Sequence, residues 1–249
     1  MTLLNLPFDG QPHRYLVFHP KRLPDTLTFA SNATTQTFES MASSRFFLSQ
    51  NGSLLAKVVP DKFDRRQTPG KWLLRDYVEK RWLGQSDARK EFRCARILQR
   101  IGLQTPFYYG WGVSLDPANS NASLLLMERI TDARLGGDAF KAMDEPARLH
   151  FIDRLCAEVA SIARHGYAVR DLHHNNLMLR EYVGQGVNER AGESSTLIWL
   201  DTHLRRLPRS PKARERALQR SLTAEKLGGE AYRQRAEQRL GELLVSFGG

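Results

Sequence analysis

The chain has 249 residues, of which 41% are hydrophobic and 26% are charged. This composition is ordinary for a globular protein and excludes a disordered, collagen-like or disulfide-scaffold chain. Lysine and arginine together number 37, aspartate and glutamate 27, so the formal net charge is +10. A surplus of this size favours partners with negative charge, such as phosphorylated substrates, nucleic acid or an anionic membrane surface.

The cysteines and the N-terminus indicate the compartment. Cys94 and Cys156 each lie in a helix-like apolar pattern and outside any CxxC pair, which favours two buried thiols in a reducing compartment. No apolar run is long enough for a transmembrane helix, and residues 1–10 lack the features of a signal peptide. We therefore expect a cytoplasmic protein.

The first half of the chain is predicted to be rich in strands. Short apolar runs predict strands within the first 40 residues. Asn51-Gly52 separates two apolar runs, 45–48 and 53–59, and this is the strongest short signal for a β-hairpin. Lys57 should therefore lie on the second strand of a hairpin. Two more strands are predicted over 108–113 and 122–130.

Two stretches have helical periodicity. The first runs over about 87–100, with Gly102 as its C-terminal cap. The second runs over 144–165, with Asp144 as N-cap and apolar residues at helical spacing. A loop over 167–176 follows, and then a short hairpin formed by the apolar runs 177–179 and 197–200.

The polar connection 183–195 joins the strands of that short hairpin, and helices are predicted from about residue 210. The order of elements predicts an α+β chain. Its β-rich part is residues 1–130, and its mainly helical part is residues 131–249.

One loop concentrates residues that suit phosphoryl transfer. Asp171 and Asn176 lie five positions apart between the helix and the short hairpin. Phosphoryl transfer needs a carboxylate to orient and deprotonate the acceptor hydroxyl, together with oxygen ligands for Mg²⁺. Asp201, at the end of an apolar strand pattern, would add a second acidic ligand.

These residues resemble motifs of the protein-kinase-like superfamily. The segment Val169-Arg170-Asp171-Leu172, followed by Asn176, is similar to the catalytic loop His-Arg-Asp-Leu-x-x-x-Asn. Leu55-Ala56-Lys57 resembles the strand with the phosphate-binding lysine, and Glu91 resembles its ion-pair partner. Leu125-Leu126-Met127-Glu128 resembles the hinge strand whose backbone would meet adenine. The resemblance covers roughly residues 38–207.

Within that superfamily the chain is most similar to the bacterial lipopolysaccharide core kinases, which phosphorylate heptose or Kdo sugars. The stretch from Glu91 to Pro106 looks like that family's helix and turn, and Leu200-Asp201 leads a segment that stands where Asp-Phe-Gly is usual. No Ala-Pro-Glu segment follows Asp201, which favours a glycolipid or small-molecule acceptor over a protein. The N-terminal part is then expected to bind nucleotide and the C-terminal part to be a reduced, helical catalytic lobe of a two-lobed fold.

The resemblance also implies cofactors, roles and partners. The cofactors would be ATP and Mg²⁺, with Asp171 as catalytic base, Lys57 on the phosphates and Glu91 positioning Lys57. Asn176 and Asp201 would bind Mg²⁺, and Glu128 would lie at the nucleotide. The partner would be the lipopolysaccharide core glycolipid at the inner face of the cytoplasmic membrane, with peripheral contact to the anionic bilayer. No nucleic-acid partner is expected, since the sequence has no helix-turn-helix, zinc or RNA-binding signature.

The sequence also departs from the superfamily pattern. Val169 replaces the usual histidine, and Thr202 follows Asp201 in place of phenylalanine. The candidate phosphate loop, residues 40–44, contains no glycine, and its small residues Ser43 and Ser44 would contact the nucleotide. A pseudokinase that serves as a binding or regulatory module is therefore an alternative, as is a kinase for another small-molecule or protein hydroxyl.

Three further features leave two interpretations each. The basic and aromatic segment 65–82 suits either an anionic membrane or a helix packed beside the lobe. The arginine-rich segment 205–220 suits either a solvated helix face or a phosphorylated acceptor. His173 and His174 lack the usual spacing of metal ligands, and we expect loop residues that either contact substrate or serve only the loop.

Overall fold

The computed structural model describes residues 1–20, 23, 27–40, 43–181, 195–201 and 203–245. The chain divides into two compact units. The first unit comprises residues 1–93 and 106–130, and the second comprises residues 94–105 and 131–249. Residues 94–105 therefore belong to the second unit, although the sequence placed the boundary between the two parts of the chain at residue 130.

The first unit is built on a closed barrel of strands. In chain order the strands are β1 (Thr2–Phe8), β2 (Gln11–Phe18), β3 (Phe29–Ala30), β4 (Arg45–Ser49), β5 (Leu54–Val59), β6 (Tyr108–Val113) and β7 (Ser123–Glu128). Their order around the barrel is β1-β2-β6-β7-β5-β4-β3. Side chains of alternate strand positions fill the interior, as a period of two requires: Leu6, Phe8, Tyr15, Val17, Leu54, Ala56 and Val58.

The predicted hairpin around Asn51-Gly52 is present. β4 and β5 pair antiparallel, with Phe46 opposite Lys57. Gly52 has a φ of +69°, a left-handed conformation that glycine adopts without steric cost. On its other side β5 pairs with β7. Lys57 therefore lies on a strand that is held from both sides.

The first 40 residues contain a helix that the strand prediction missed. Helix α1 spans Ala33–Ser40. The side chain of Asn32 accepts from the Thr35 backbone N–H at 3.0 Å, and the Thr35 hydroxyl accepts from the Asn32 N–H at 2.8 Å. This reciprocal capping satisfies two backbone donors that would otherwise lack partners at the helix start, so the cap stabilises a helix in a weakly apolar segment.

The basic and aromatic segment is helical. It begins with a short turn, α2 (Pro69–Lys71), and continues as a π-helix over Trp72–Trp82. The backbone N–H of Leu83 donates to the Val78 carbonyl at 2.9 Å, five residues back, as the π-helical pattern requires. Helix α3 (Asp87–Ile101) follows and ends at Gly102, which has a φ of +89°. The prediction of α3 and its glycine cap is confirmed.

The second unit is mainly helical. Its helices are α4 (Gly136–Ala142), α5 (Glu145–Arg164), α6 (Pro211–Gln219), α7 (Ala224–Leu227) and α8 (Glu230–Val245). The Asp144 side chain accepts from the Ala147 N–H at 3.0 Å, as predicted for an N-cap. The inward residues of α5 form the centre of this unit's core: Phe151, Ile152, Leu155, Val159 and Ile162.

Short strands flank these helices. They are β8 (Arg134–Leu135), β9 (Tyr167–Val169), β10 (Leu177–Glu181), β11 (Ser195–Trp199) and β12 (Leu204–Arg206). The predicted hairpin is present as the antiparallel pair β10–β11, and nearly all of its polar connection lies outside the described residues. The segment predicted as a loop contains β9 and a 3₁₀ turn over His174–Asn176.

The fold class predicted from the sequence is confirmed. It is α+β, with a strand-rich first unit and a mainly helical second unit. Cys94 and Cys156 are free and buried, and burial raises the pKa of the Cys156 thiol to about 12. In the part of the chain that the structure describes, no helix is long and apolar enough to cross a membrane.

Candidate active site

The first unit holds a buried ion pair between Lys57 and Glu91. The Lys57 Nζ lies 2.7 Å from the Glu91 Oε2, and the two side chains are 7% and 6% exposed. On β5, Ala56 and Val58 fill the barrel interior, so the alternation of a strand turns Lys57 to the outer face. A buried ammonium held by a carboxylate is a fixed positive charge, suited to binding phosphate.

Glu128, the predicted hinge residue, is bound to its neighbouring strand. Its backbone N–H donates to the Phe107 carbonyl at 2.8 Å, and its Oε1 accepts from the Phe107 N–H at 2.8 Å. Glu128 therefore closes the end of the β6–β7 pair with both its backbone and its side chain. These contacts serve the strand pairing, and an adenine contact by Glu128 remains a prediction.

The candidate phosphate loop is described only in part. Ser40 ends α1 and donates its hydroxyl to the Thr37 carbonyl at 2.7 Å. Residues 41 and 42 lie outside the described part of the chain. Ser43 is exposed, whereas Ser44 is only 7% exposed. Of the two serines named from the sequence, Ser43 is the one accessible to a ligand.

The second unit holds Asp171 and Asn176 in one hydrogen-bonded segment. The Asn176 amide Nδ2 donates to the Asp171 backbone carbonyl at 2.9 Å. The amide donor is therefore used within the segment, and the amide oxygen remains as an oxygen ligand. The Asp171 side chain is 52% exposed, so its carboxylate can contact a substrate.

Asp201 is tied to the same segment through the backbone. The Leu200 N–H donates to the Asn176 carbonyl at 2.9 Å, and the Arg170 N–H donates to the His203 carbonyl at 2.8 Å. These two bonds hold the residues on either side of Asp201 against the Asp171–Asn176 segment. The Asp201 Oδ1 lies 3.6 Å from the His203 Nε2. Thr202, between them, lies outside the described residues.

The donor chemistry of this cluster fits Mg²⁺. Asn176 offers an amide oxygen and Asp201 a carboxylate, and Mg²⁺ is bound in proteins through a few such oxygens with waters or substrate phosphates completing its octahedron. Across the described ranges, no group of three or more His, Cys, Asp or Glu side chains could hold a metal ion. Asn176 and Asp201 are the residues of the cluster that would hold the ion.

Lys226 is a residue of the cluster that the sequence analysis missed. Its Nζ donates to the Asp171 Oδ1 from helix α7. This hydrogen bond and the Lys226 charge lower the pKa of Asp171, with smaller contributions from His173 and His203. The contact spans 55 residues, and no local pattern around Lys226 indicates it. Only the folded chain brings this lysine to the aspartate.

The two adjacent histidines differ in environment. The His173 Nδ1 accepts from the Asn175 N–H at 3.0 Å, which caps the 3₁₀ turn. His174 is buried, and its ring centroid lies 4.3 Å from that of Phe140. Burial, with a smaller effect of His173, lowers the pKa of His174 to about 4. His174 is therefore a neutral core residue at pH 7.

No family model and no curated protein matches the chain. Among solved structures, it is similar to WaaP in complex with acyl carrier protein, at 16% identity over 86% of each chain and a TM-score of 0.47. It is similar to the Rio2 kinase–ADP/Mg²⁺–phosphoaspartate complex from Chaetomium thermophilum, at 16% identity over 82% of this chain and 52% of that one, with a TM-score of 0.46. It is also similar to the streptomycin–ATP–APH(2")-IIa ternary complex, at 10% identity over 87% and 79% and a TM-score of 0.44.

Proposed function

We propose that the chain is an ATP-dependent kinase that phosphorylates a hydroxyl of a heptose or Kdo sugar in the lipopolysaccharide inner core. The observation that carries the kinase proposal is the cluster in which Asn176 bonds the backbone of Asp171 and Asp201 is tied alongside. An exposed carboxylate beside an amide oxygen and a second carboxylate is the donor set that magnesium-dependent phosphoryl transfer uses.

Each side chain has a role in this proposal. The Asp171 carboxylate accepts the proton of the sugar hydroxyl as that oxygen bonds to the γ-phosphorus and the bond to the ADP oxygen breaks. Lys226 donates a hydrogen bond to the Asp171 Oδ1 and so orients the carboxylate. Lys57, positioned by Glu91, places its charge on the nucleotide phosphates. Asn176 and Asp201 would hold Mg²⁺, which when bound neutralises the phosphate charge.

The exposure of the candidate side chains narrows the set of residues proposed to contact the nucleotide. Ser43 is exposed and Ser44 nearly buried, so we assign the serine contact to Ser43 first. Glu128 would contact the nucleotide only through atoms that do not already bond to Phe107. These assignments keep the proposed nucleotide-binding groups on residues 1–130 and the proposed base and metal ligands on residues 131–249.

The glycolipid acceptor is the finer part of the proposal. It rests on the sequence resemblance to lipopolysaccharide core kinases and on the charge of the segment that follows Asp201. On helix α6 and beside it, Arg209, Lys212 and Arg216 are exposed, and exposed cations attract a phosphorylated glycolipid. Such an acceptor lies in the cytoplasmic membrane, so the chain would act at its inner face.

The test is transfer of labelled phosphate from Mg-ATP to lipopolysaccharide whose core phosphates have been removed. We expect label in the core sugar, and a loss of about a thousandfold in Asp171→Ala with the fold and nucleotide binding retained. Asp138→Asn, at an exposed carboxylate of α4, is the matched control and should keep full activity. Unchanged transfer in Asp171→Ala would overturn the kinase assignment.

A pseudokinase is the second candidate, and the glycine-free loop 40–44 with its nearly buried Ser44 favours it. Glycine lets a backbone approach phosphates closely, and this loop lacks that freedom. Binding of Mg-ATP without transfer to a panel of sugar, small-molecule and protein hydroxyls would establish this candidate. Transfer to an acceptor other than the core sugar would keep the kinase and replace only its substrate.

A further inference from the structure

The π-helix exposes a set of large apolar side chains. Trp82 is 74% exposed and Leu74 is 64% exposed. Three neighbours are also exposed, Leu83 at 57%, Leu73 at 49% and Val78 at 37%. A single exposed leucine is common on protein surfaces, but a contiguous apolar patch marks an interaction site. We call these five residues the docking face.

The π-helical backbone is what gathers these residues on one side. In a helix whose hydrogen bonds run five residues back, positions four and five apart share a face. Leu73, Val78 and Leu83 follow one another at intervals of five. Leu74 and Trp82 each lie four residues from Val78. An α-helix would spread the same residues around its axis, because its faces repeat at three and four.

The opposite side of the helix is fixed to the first unit by buried polar contacts. Asp76 is 0% exposed and accepts from the backbone N–H groups of Lys62 and Phe63 at 3.1 and 2.8 Å. It also pairs with the Lys80 Nζ at 2.5 Å. Burial raises the pKa of Asp76, but these hydrogen bonds and the Lys80 charge lower it further than burial raises it. The carboxylate is therefore ionised and holds its side of the helix inward.

Arg81 adds a second set of inward contacts. Its guanidinium pairs with the Asp61 carboxylate at 2.7 Å and donates to the Asn119 carbonyl at 2.7 Å. The Trp72 Nε1 donates to the same Asp61 carboxylate at 2.8 Å. Turning the helix to bury the docking face would break these buried bonds, each costly to lose. The docking face is therefore a fixed feature of the first unit.

Exposed cations lie on the helix of the docking face and on the segment that precedes it. On the helix and its first turn, Lys71 and Arg75 are exposed, and the preceding segment exposes Lys62, Arg65 and Arg66. Among the nearby carboxylates Glu79 is exposed beside Val78, and the other three are engaged. Asp61 and Asp76 are paired inward, and Asp64 accepts from the backbone N–H groups of its own turn. The exposed charge around the apolar residues is therefore predominantly positive.

We propose that the docking face inserts into the interfacial region of an anionic bilayer, with these exposed cations on the lipid headgroups. Tryptophan and leucine on one side of a helix, bordered by lysine and arginine, is the pattern of a helix that lies in the membrane interface. Trp82 suits the headgroup level because its ring is apolar and its N–H polar. Positive charge complements anionic lipid. This inference is independent of the reaction that the chain catalyses.

The exposure of Trp82 makes the test direct. The other three tryptophans, Trp72, Trp111 and Trp199, are at most 7% exposed. Emission is measured with vesicles of phosphatidylglycerol and phosphatidylcholine whose acyl chains carry bromine, which quenches tryptophan on contact. We expect quenching in the parent protein and none in Trp82→Phe, although Trp82→Phe should still sediment with the vesicles. Unchanged emission in the parent protein would overturn the proposal.

Sedimentation with vesicles tests the two parts of the surface separately. We expect Leu74→Glu to weaken binding by at least about tenfold, because it places a charge in the apolar contact. Leu115→Glu is the matched control, at an exposed leucine outside the helix, and should bind as the parent does. Lys71→Gln with Arg75→Gln should weaken binding to anionic vesicles. Thermal unfolding of each variant verifies that it is folded.

Two outcomes would contradict the bilayer as the occupant. One is equal binding of Leu74→Glu and the parent protein to anionic vesicles. The other is self-association of the parent protein without lipid, abolished by Leu74→Glu, which would assign the docking face to a second copy of the chain. Binding that falls with added salt and with the two glutamine substitutions supports the proposal, since headgroup attraction is screened by salt.

Discussion

Lys226 contacts the carboxylate of Asp171 across 55 residues of sequence. The two residues that follow Lys226 in the chain are packed in the second unit and fix the position of the lysine. Leu227, next to the lysine, is 0% exposed in the core of the second unit, and Gly228 lies against the Phe140 ring. The lysine is thus positioned by a buried neighbour rather than by its own long side chain. Its hydrogen bond lowers the pKa of Asp171.

Replacement of Lys226 should change the pH dependence of transfer. In Lys226→Met the pKa of Asp171 rises towards its ordinary value, because the hydrogen bond and charge that lower it are removed. The proposed base Asp171 is active only when deprotonated, so the acidic limb of the pH profile of kcat/KM should move to higher pH. At neutral pH Asp171 is ionised with or without Lys226, because its ordinary pKa is 3.8, so the loss of kcat there should be small compared with the loss in Asp171→Ala.

Two further variants separate this role from a merely structural one. Lys226→Arg keeps a positive donor and should keep the acidic limb where the parent protein has it. Lys141→Met removes an exposed lysine of α4 and should leave both the profile and kcat unchanged. An acidic limb in Lys226→Met identical to that of the parent protein would show that the contact does not set the ionisation of Asp171.

Glu91→Gln should lower both nucleotide binding and stability. The substitution leaves the Lys57 ammonium buried without the carboxylate that lies 2.7 Å from it, and removing one partner of a buried pair costs about 3 kcal/mol in the free energy of unfolding. The double variant Lys57→Met/Glu91→Gln removes the charge as well and should be the more stable of the two. Urea unfolding measures the free energy of unfolding of both variants. A double variant no more stable than Glu91→Gln would contradict the coupling of the pair.

Local patterns were enough to predict the elements that carry most of the candidate site. Asn51-Gly52 located the hairpin of Lys57, and the apolar period located α5 with its N-cap Asp144. Each of these patterns involves residues close together in the chain, so it can be recognised in a single sequence. The resemblance of Lys57 and Glu91 to the lysine–glutamate pair of the kinase-like superfamily implied the ion pair that the structure contains.

Other features were beyond local reasoning because they depend on distant contacts or on unusual backbone. The apolar residues of the docking face share one side only in a helix whose faces repeat every four and five residues. The sequence does not indicate the π-helical backbone that sets this period over Trp72–Trp82. Lys226 reaches Asp171 through packing of the second unit's core. His174 was expected on a loop, and the aromatic rings around it make it a core residue.

His174 should make the stability of the chain depend on pH. Its pKa is about 4 in the folded chain and 6.5 ordinarily, so the unfolded chain binds the proton more tightly. Between pH 6.5 and pH 4 the free energy of unfolding should therefore fall as the pH falls. The contribution is fully present above pH 6.5, and its loss by pH 4 amounts to about 3 kcal/mol.

A substitution isolates this histidine from other titrating groups. His174→Leu keeps an apolar side chain between the rings of Phe140 and Phe151 and removes the titration, so the decline between pH 6.5 and pH 4 should become shallower. His150→Gln, at an exposed histidine of α5, should leave the decline as it is. The measurement is urea unfolding at several pH values. A decline equally steep in His174→Leu would assign the dependence to other groups.

Gly228→Ala should disturb the cluster through the helix that carries Lys226. Gly228 has a φ of +85°, and an added Cβ would lie 2.9 Å from the Phe140 Cε1, so the substitution combines backbone strain with a clash. We expect a loss of about 2 kcal/mol in the free energy of unfolding and a lower kcat, because α7 must shift and take Lys226 with it.

Gly241→Ala is the matched control: its Cβ would meet nothing within 4 Å on α8, and alanine should stabilise that helix by about 0.5 kcal/mol. Equal stability of the two variants would show that Phe140 yields freely and that Gly228 does not position α7.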